Sequence, residues 1–368
     1  MSSKLFEPIR LRGLTLPNRI VVAPMCEYSS VDGNASDWHL FHWTQFALGG
    51  VGLFVAEATG VSAAGRITPA CLGLYSDDNE AAMARVLKAA KRYGGAPMGI
   101  QLAHAGRKAS TYPPGNPKGM GALSKEDGAW QTVSASAIPY NGWHTPQALD
   151  AEGLARVKGE FVTAAKRAVR IGLDEIELHM AHGYLMQQFL SPLSNQRNDE
   201  YGGDLKGRMK FPLEVFAAVR AAIPDAMPLG ARINATDWAE GGWVLDEAVV
   251  FARALKDLGC DFVCVSSSGS TPAQKIEVGP LYQVPFAKRI RKETGIMTRA
   301  VGMIFTPQQA EEIVADGAAD MVALGRGMLD DPRWAWHAAK ALGADAAYPL
   351  QYRRAKFDIW PGPVARPF

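Results

Sequence analysis

The sequence predicts a single closed (β/α)8 TIM barrel. Three observations carry that expectation: eight short apolar runs recur along the 368 residues, amphipathic stretches separate them, and no internal repeat or Pro/Gly linker divides the chain near its midpoint. Alternating strands and helices without a break fit one closed parallel barrel better than two open sheets.

In chain order, the strands are expected at Arg19 to Ala23, Val51 to Ala58, Met98 to Ala103, Glu175 to His179, Leu229 to Asn234, Phe262 to Ser267, Met297 to Gly302 and Met321 to Gly325. Each is rich in the apolar and β-branched residues of a strand buried on both faces. Helical periodicity marks Leu40 to Leu48, Asn79 to Tyr93, Glu152 to Ile171, Gly207 to Ala222, Asp246 to Leu258, Tyr282 to Glu293, Thr306 to Asp316 and Asp331 to Leu342. A barrel needs about 250 residues, so the surplus is assigned to extensions of one domain spanning 1–368. These are an N-terminal lid at 1–18, a loop excursion at 104–150 that is Gly- and Pro-rich from Tyr112 to Gly121, and a C-terminal tail at 343–368.

Composition narrows the function. The 39 basic side chains nearly balance the 37 acidic ones, and no run of like charge offers a field for nucleic acid or anionic lipid. No apolar run reaches the roughly 18 residues of a membrane span, and the N-terminus lacks a signal-peptide pattern, so a cytoplasmic location and a small-molecule substrate are expected. Four cysteines do not make a disulfide framework; Cys71, Cys260 and Cys264 read as reduced packing residues.

Barrel enzymes build their sites on loops leaving the C-terminal strand ends, and the chemically interesting residues gather there. Gly302 and Gly325-Arg326-Gly327 close strands seven and eight, where small glycines let backbone N–H groups approach a phosphate; turn glycines beside a surface arginine are the plainer alternative. GRGMLD is only a partial dinucleotide fingerprint. Gln101 and Arg232 end otherwise apolar strands. A planar heterocycle with carbonyl and ring-nitrogen edges would satisfy both, although an internal hydrogen bond or salt bridge explains either one singly. In HMAHGY (179–184), His179 and His182 suit either of two roles. They could ligate zinc in a metal-dependent hydrolase, or polarise a carbonyl oxygen while the Tyr184 phenol protonates the resulting enolate. Cys26, after strand one and beside Tyr28, reads as a ligand contact and not as a nucleophile.

Taken together, PMCEY (24–28), EATG (57–60), GRIT (65–68), QLAHAGRKA (101–109), the segment from HMAHGY through DEYGG (179–203), ATDW (235–238), AVGM and LGRGMLDDPRW resemble the old yellow enzymes. PMCEY and the QYRR tail resemble their thermophilic-like, YqjM-type subclass. The resemblance implies noncovalent FMN, reduced by NADPH or NADH, that reduces the C=C bond of an α,β-unsaturated carbonyl compound. It further implies that Pro24, Met25 and Cys26 line the flavin, that the Ala58 backbone and Gln101 meet its pyrimidine edge, and that Arg232 lies at its N1/O2 end. Gly302, Gly325 and Arg326 would bind its phosphate. His179 and His182 would hold the substrate oxygen, Tyr28 would contact substrate or flavin, and Tyr184 would donate the proton. Arg354, with Arg353 as its rival, would reach a neighbouring subunit's site, which implies a homodimer or homotetramer. Glu27 and the long tail after Arg354 depart from the subclass pattern. Iron–sulfur reductases of the wider group need a downstream cysteine cluster that this sequence lacks, and a noncatalytic flavin carrier would have no use for Tyr184.

Overall fold

The computed structural model describes residues 3–360; the end of the expected tail lies outside them. Eight parallel strands close into one barrel, in chain order around the ring: Ile20–Val22, Leu53–Gly60, Met98–Ala103, Glu175–Met180, Leu229–Asn234, Phe262–Ser266, Met297–Ala300 and Met321–Leu324. The last strand pairs with the first through Val322 and Ile20, which closes the sheet and removes its edges. All eight expected strands are present. The second runs two residues later than its apolar core suggested, because a bulge between Ala56 and Ala58 carries the pairing on through Gly60.

The helices follow from local sequence. Ala151–Ile171 starts where the Asp150 carboxylate accepts the Gly153 N–H at 2.8 Å, and it stops at Gly172, whose φ of 86° favours glycine. Between these caps, Leu154, Val157, Phe161, Ala164, Ala165 and Ala168 recur at helical spacing and are buried. Asp204 plays the same capping role for Leu205–Ala222. The helix expected over Asp331 to Leu342 starts at Trp334 and runs to Leu342, and a separate short helix that was not expected, Arg326–Asp330, precedes it. Pro332 disfavours helical backbone at Asp331, whose side chain instead accepts from the Arg333 N–H and pairs with His337 Nδ1.

The N-terminal extension is a hairpin, Ile9–Leu11 paired with Leu14–Leu16, and it plugs the barrel base. Leu11 and Leu16 pack with Leu53, Val55, Phe262 and Met321. Arg12 fastens the hairpin to the loops entering strands five and six, pairing with Asp261 at 2.6 Å and Asp225 at 2.8 Å and donating to the Gly259 carbonyl at 3.0 Å. The expected lid therefore covers the face opposite the strand C-termini. The C-terminal segment docks by stacking Tyr348 on Trp336 at 4.1 Å between ring centroids.

Above the plug, the barrel axis is polar. Arg299 from strand seven is fully buried and forms a bidentate pair with Glu175 from strand four, while its guanidinium lies 3.5 Å over the Phe262 ring. Gly99 and Gly230 make room: a Cβ at Gly230 would stand 2.2 Å from the Phe262 ring. Gly230→Ala should therefore cost roughly 1–3 kcal/mol of stability through overpacking. Gly159→Ala, with open space around it on an exposed helix face, should gain about 0.5–1 kcal/mol. Chemical denaturation of the two variants checks the pair.

Candidate active site at the barrel mouth

Side-chain alternation on strand four sends Glu175, Glu177 and His179 to the same face of the strand, toward the barrel axis. His179 therefore emerges at the mouth directly above the buried charges. Beyond it the chain turns sharply, with His182 at φ 58° and Gly183 at φ 68°. Only glycine fits position 183, where a Cβ would stand 2.1 Å from the Gly269 carbonyl of the loop after strand six. Lys108 ties the two loops together, donating to the carbonyls of His182 at 2.9 Å and Gly269 at 3.0 Å. Asn234 accepts the His182 N–H at 3.1 Å and donates to the Ser268 carbonyl at 2.8 Å.

The hydrogen bonds of the two imidazoles fix their tautomers. His179 Nδ1 accepts the Ala181 N–H at 3.2 Å, so its proton is on Nε2, which faces His182 Nδ1 at 3.3 Å. His182 Nδ1 is then an acceptor, and its Nε2–H donates to Ser266 Oγ at 2.8 Å, whose hydroxyl is 3.4 Å from Gln283 Oε1. Burial, reinforced by the nearby Arg232 and Lys108 cations, holds both imidazoles well below the ordinary histidine pKa, so they are neutral. Tyr184 packs its ring edge-on against His179 at 4.8 Å, and burial pushes its phenol well above the usual range, keeping it protonated. Lys108 Nζ stands 5.1 Å from the Tyr184 ring centroid, and burial lowers its pKa to about 8.

Gln101 and Arg232 lie inside strands three and five, not at their ends, and Gln101 is 2% exposed. Gln101 Nε2 donates to Glu177 Oε1 at 2.6 Å, which realises the internal hydrogen bond left open above. Arg232 differs: its Nε is buried with no hydrogen-bond partner. Met25 lies against Gly325, its sulfur 3.5 Å from where a Cβ would stand, which joins the first and last strand ends into one rim. Gly302 has φ 110° and follows strand seven. Gly325 caps the short helix Arg326–Asp330, and Arg326 is exposed. Pro24, Met25, Cys26 and Tyr28 are partly exposed along strand one's exit. Burial raises the Cys26 thiol well above its ordinary value, so it is not a thiolate; Tyr28, in a left-handed conformation at φ 49°, is likewise held protonated by burial. Cys71, Cys260 and Cys264 are buried free thiols.

Glu27 belongs to a network the sequence did not reveal. It pairs with His42 at 3.2 Å and accepts from Trp38 Nε1 at 3.0 Å, while its backbone N–H donates to Glu57 at 3.2 Å and Glu57 meets His39 at 3.2 Å. Glu57 sits in the quoted EATG, and Lys108 in QLAHAGRKA, but both find their partners on other segments. Arg353 and Arg354 are exposed on the turn Leu350–Ala355. Among the described residues, no group of three or more His, Cys, Asp or Glu side chains is placed to hold a metal ion, and no helix is long and apolar enough to cross a membrane.

The barrel mouth thus brings together a guanidinium whose Nε has no partner, a buried amide held by Glu177, and a neutral imidazole pair packed against a phenol. Comparison with known proteins identifies the family. Residues 4–345 match the NADH:flavin oxidoreductase / NADH oxidase family. The chain is 43% identical to an NADPH dehydrogenase of Geobacillus thermodenitrificans and 41% identical to one of Bacillus subtilis, covering 96% of this chain and 99% of each enzyme. Morphinone reductase superposes with a TM-score of 0.77 at 26% identity, over 95% of this chain and 92% of that one. The chain belongs to this family, as an FMN-dependent nicotinamide oxidoreductase of old yellow enzyme type.

The tautomers are open to measurement. Histidine 15N NMR at pH 6, where an unperturbed imidazole is more than half protonated, should show His179 and His182 neutral with the proton on Nε2. Imidazolium signals from both would contradict the hydrogen-bond chain.

Proposed function

We propose that the barrel mouth reduces the activated C=C bond of α,β-unsaturated carbonyl compounds. The juxtaposition of two neutral imidazoles, 3.3 Å apart at their facing nitrogens, with a protonated phenol packed against one of them supports this reading most directly. The buried, unpartnered Arg232 Nε fits FMN, since a flavin's N1/O2 end offers acceptors to a guanidinium. Arg232 would hold that end, Gln101 and the Ala58 backbone the pyrimidine edge, and Pro24, Met25 and Cys26 the ring. Gly302, Gly325 and Arg326 would hold the phosphate. When bound and reduced by NADPH, FMN supplies the hydride for the substrate's β-carbon.

His179 and His182 bind the substrate's carbonyl oxygen and withdraw electrons from the conjugated bond. For both to donate to one oxygen, His182 carries its proton on Nδ1. Ser266 allows this because its hydroxyl can turn from accepting at His182 Nε2 to donating there. Tyr184 then delivers its proton to the α-carbon, and the nearby Lys108 ammonium favours the phenolate left behind. Tyr28 contacts the substrate. The exposed Arg354, or its neighbour Arg353, completes the site of an adjacent subunit in a homodimer or homotetramer, and the enzyme works in the cytoplasm.

The reading is tested by anaerobic stopped-flow measurement of both half-reactions with NADPH and cyclohexenone. Tyr184→Phe should slow enone reduction by about 10²–10⁴-fold while leaving flavin reduction near the wild-type rate; equal loss in both half-reactions removes Tyr184 from its role. His179→Ala or His182→Ala should weaken binding of a phenolic ligand by roughly 10–100-fold, the worth of one hydrogen bond to a charged oxygen. Unchanged affinity removes the oxygen clamp.

A further inference from the structure

The hydrogen bond between Gln101 and Glu177 joins two inward residues that the strand register places side by side. Both are buried, Gln101 2% and Glu177 1% exposed. A carboxylate only accepts hydrogen bonds, whereas a primary amide has a donating and an accepting end. Glu177 Oε1, 2.6 Å from Gln101 Nε2, therefore permits one orientation of the amide. The reverse orientation would set two acceptor oxygens against each other in a site where an unmet polar contact is costly. The carbonyl end of Gln101 is left as the acceptor.

Glu177 is held in turn. Arg299 lies 3.8 Å from its other oxygen but gives its bidentate contact to Glu175, so the hydrogen bond to Gln101 is the short contact of the Glu177 carboxylate. The column from Arg299 through Glu175 and Glu177 to Gln101 runs from the barrel base toward the mouth.

From this geometry we infer that Glu177 is a positioning residue for the cofactor: it locks the Gln101 amide with its carbonyl as acceptor, matched to the N3–H of the flavin. This rests on the assignment of Gln101 to the pyrimidine edge. In an oxidised flavin N3–H is the only ring donor on that edge, flanked by two carbonyl acceptors, so a fixed acceptor recognises N3 and a freely turning amide does not. Glu177 touches neither flavin nor substrate in this role and acts through Gln101.

The test reads the flavin and not turnover. The alkaline absorbance titration of bound FMN gives the N3–H pKa, which an acceptor on N3–H raises. Glu177→Asp keeps the charge but withdraws the carboxylate by one methylene, and Glu177→Gln removes the charge and lets either amide turn. Each should lower the N3 pKa by about one unit, the worth of one hydrogen bond, as should Gln101→Leu. Glu177→Asp should add nothing in a Gln101→Leu background. An unchanged N3 pKa in yellow Glu177→Asp protein overturns the inference, and so do additive shifts in the double variant, because Glu177 would then act through its charge alone. Wild-type protein that takes up no FMN removes the cofactor assignment and this inference with it.

Discussion

The buried ion pair between Arg299 and Glu175 is the interaction on which the rest of the barrel interior depends. A guanidinium at 0% exposure on the axis of an eight-stranded barrel is tolerable only with a carboxylate in bidentate contact, since an uncompensated buried charge costs about 3–5 kcal/mol. Satisfying Arg299 commits the first inward residue of strand four. Alternation then commits Glu177 and His179 to the same face, so the position of the His179 imidazole at the mouth is fixed by a charge pair two layers below it. The glycines at 99 and 230 serve the same end by admitting large side chains from neighbouring strands.

The mouth itself is organised by a positive field around neutral groups. Burial, with Arg232 and Lys108 adding to it, lowers the basicity of the imidazole pair and keeps His179 and His182 neutral; in the proposed reaction the two cations would then stabilise the charge that develops. Protonated imidazoles would bind an anionic oxygen more strongly at rest, and with it the ground state. Neutral ones hold a carbonyl loosely and gain strength only as negative charge builds on its oxygen. Lys108 adds a mechanical role, because it bonds the carbonyls at which the strand-four turn and the strand-six loop meet.

Much of this was legible in the sequence. All eight strands and the barrel they form followed from periodicity, and motif position put His179, His182 and Tyr184 at the exit of strand four, whereas Gln101 and Arg232 sit inside their strands and not at the ends expected. What escaped depended on register and long-range pairing. Glu175 and Arg299 are 124 positions apart, and Gln101 and Glu177 are 76 apart; nothing local marks either pair, because pairing across a barrel is set by strand stagger. The N-terminal extension was recognisable, but which face it covers was not, because that depends on Arg12 finding Asp225 and Asp261. Lys108 and Glu57 stood inside quoted motifs without a role for the same reason. The break before Trp334 was readable, since Pro332 follows Asp331 and opposes helix there.

Two guanidiniums in one barrel interior show how structure and site divide the same chemistry. Arg299 is fully enclosed and both terminal nitrogens of its guanidinium pair with Glu175, although its Nε also lacks a hydrogen-bond partner; its work is packing. Arg232, from a strand whose other inward positions are Gly230 and Asn234, has no carboxylate laid against it, and its Nε is sealed from water without a partner. Such a donor costs about 1–3 kcal/mol when left unmet, more than a surface position would demand of the same side chain. What sets Arg232 apart is the missing carboxylate, since the bare Nε is shared with Arg299, and in the proposed site its charge would be met by an acceptor from outside the protein. With Gln101 turned by Glu177 to present an acceptor of its own, the floor of the mouth carries a donor and an acceptor on different strands. That pairing suits the edge of a flat heterocycle and would leave a purely apolar ligand unmatched.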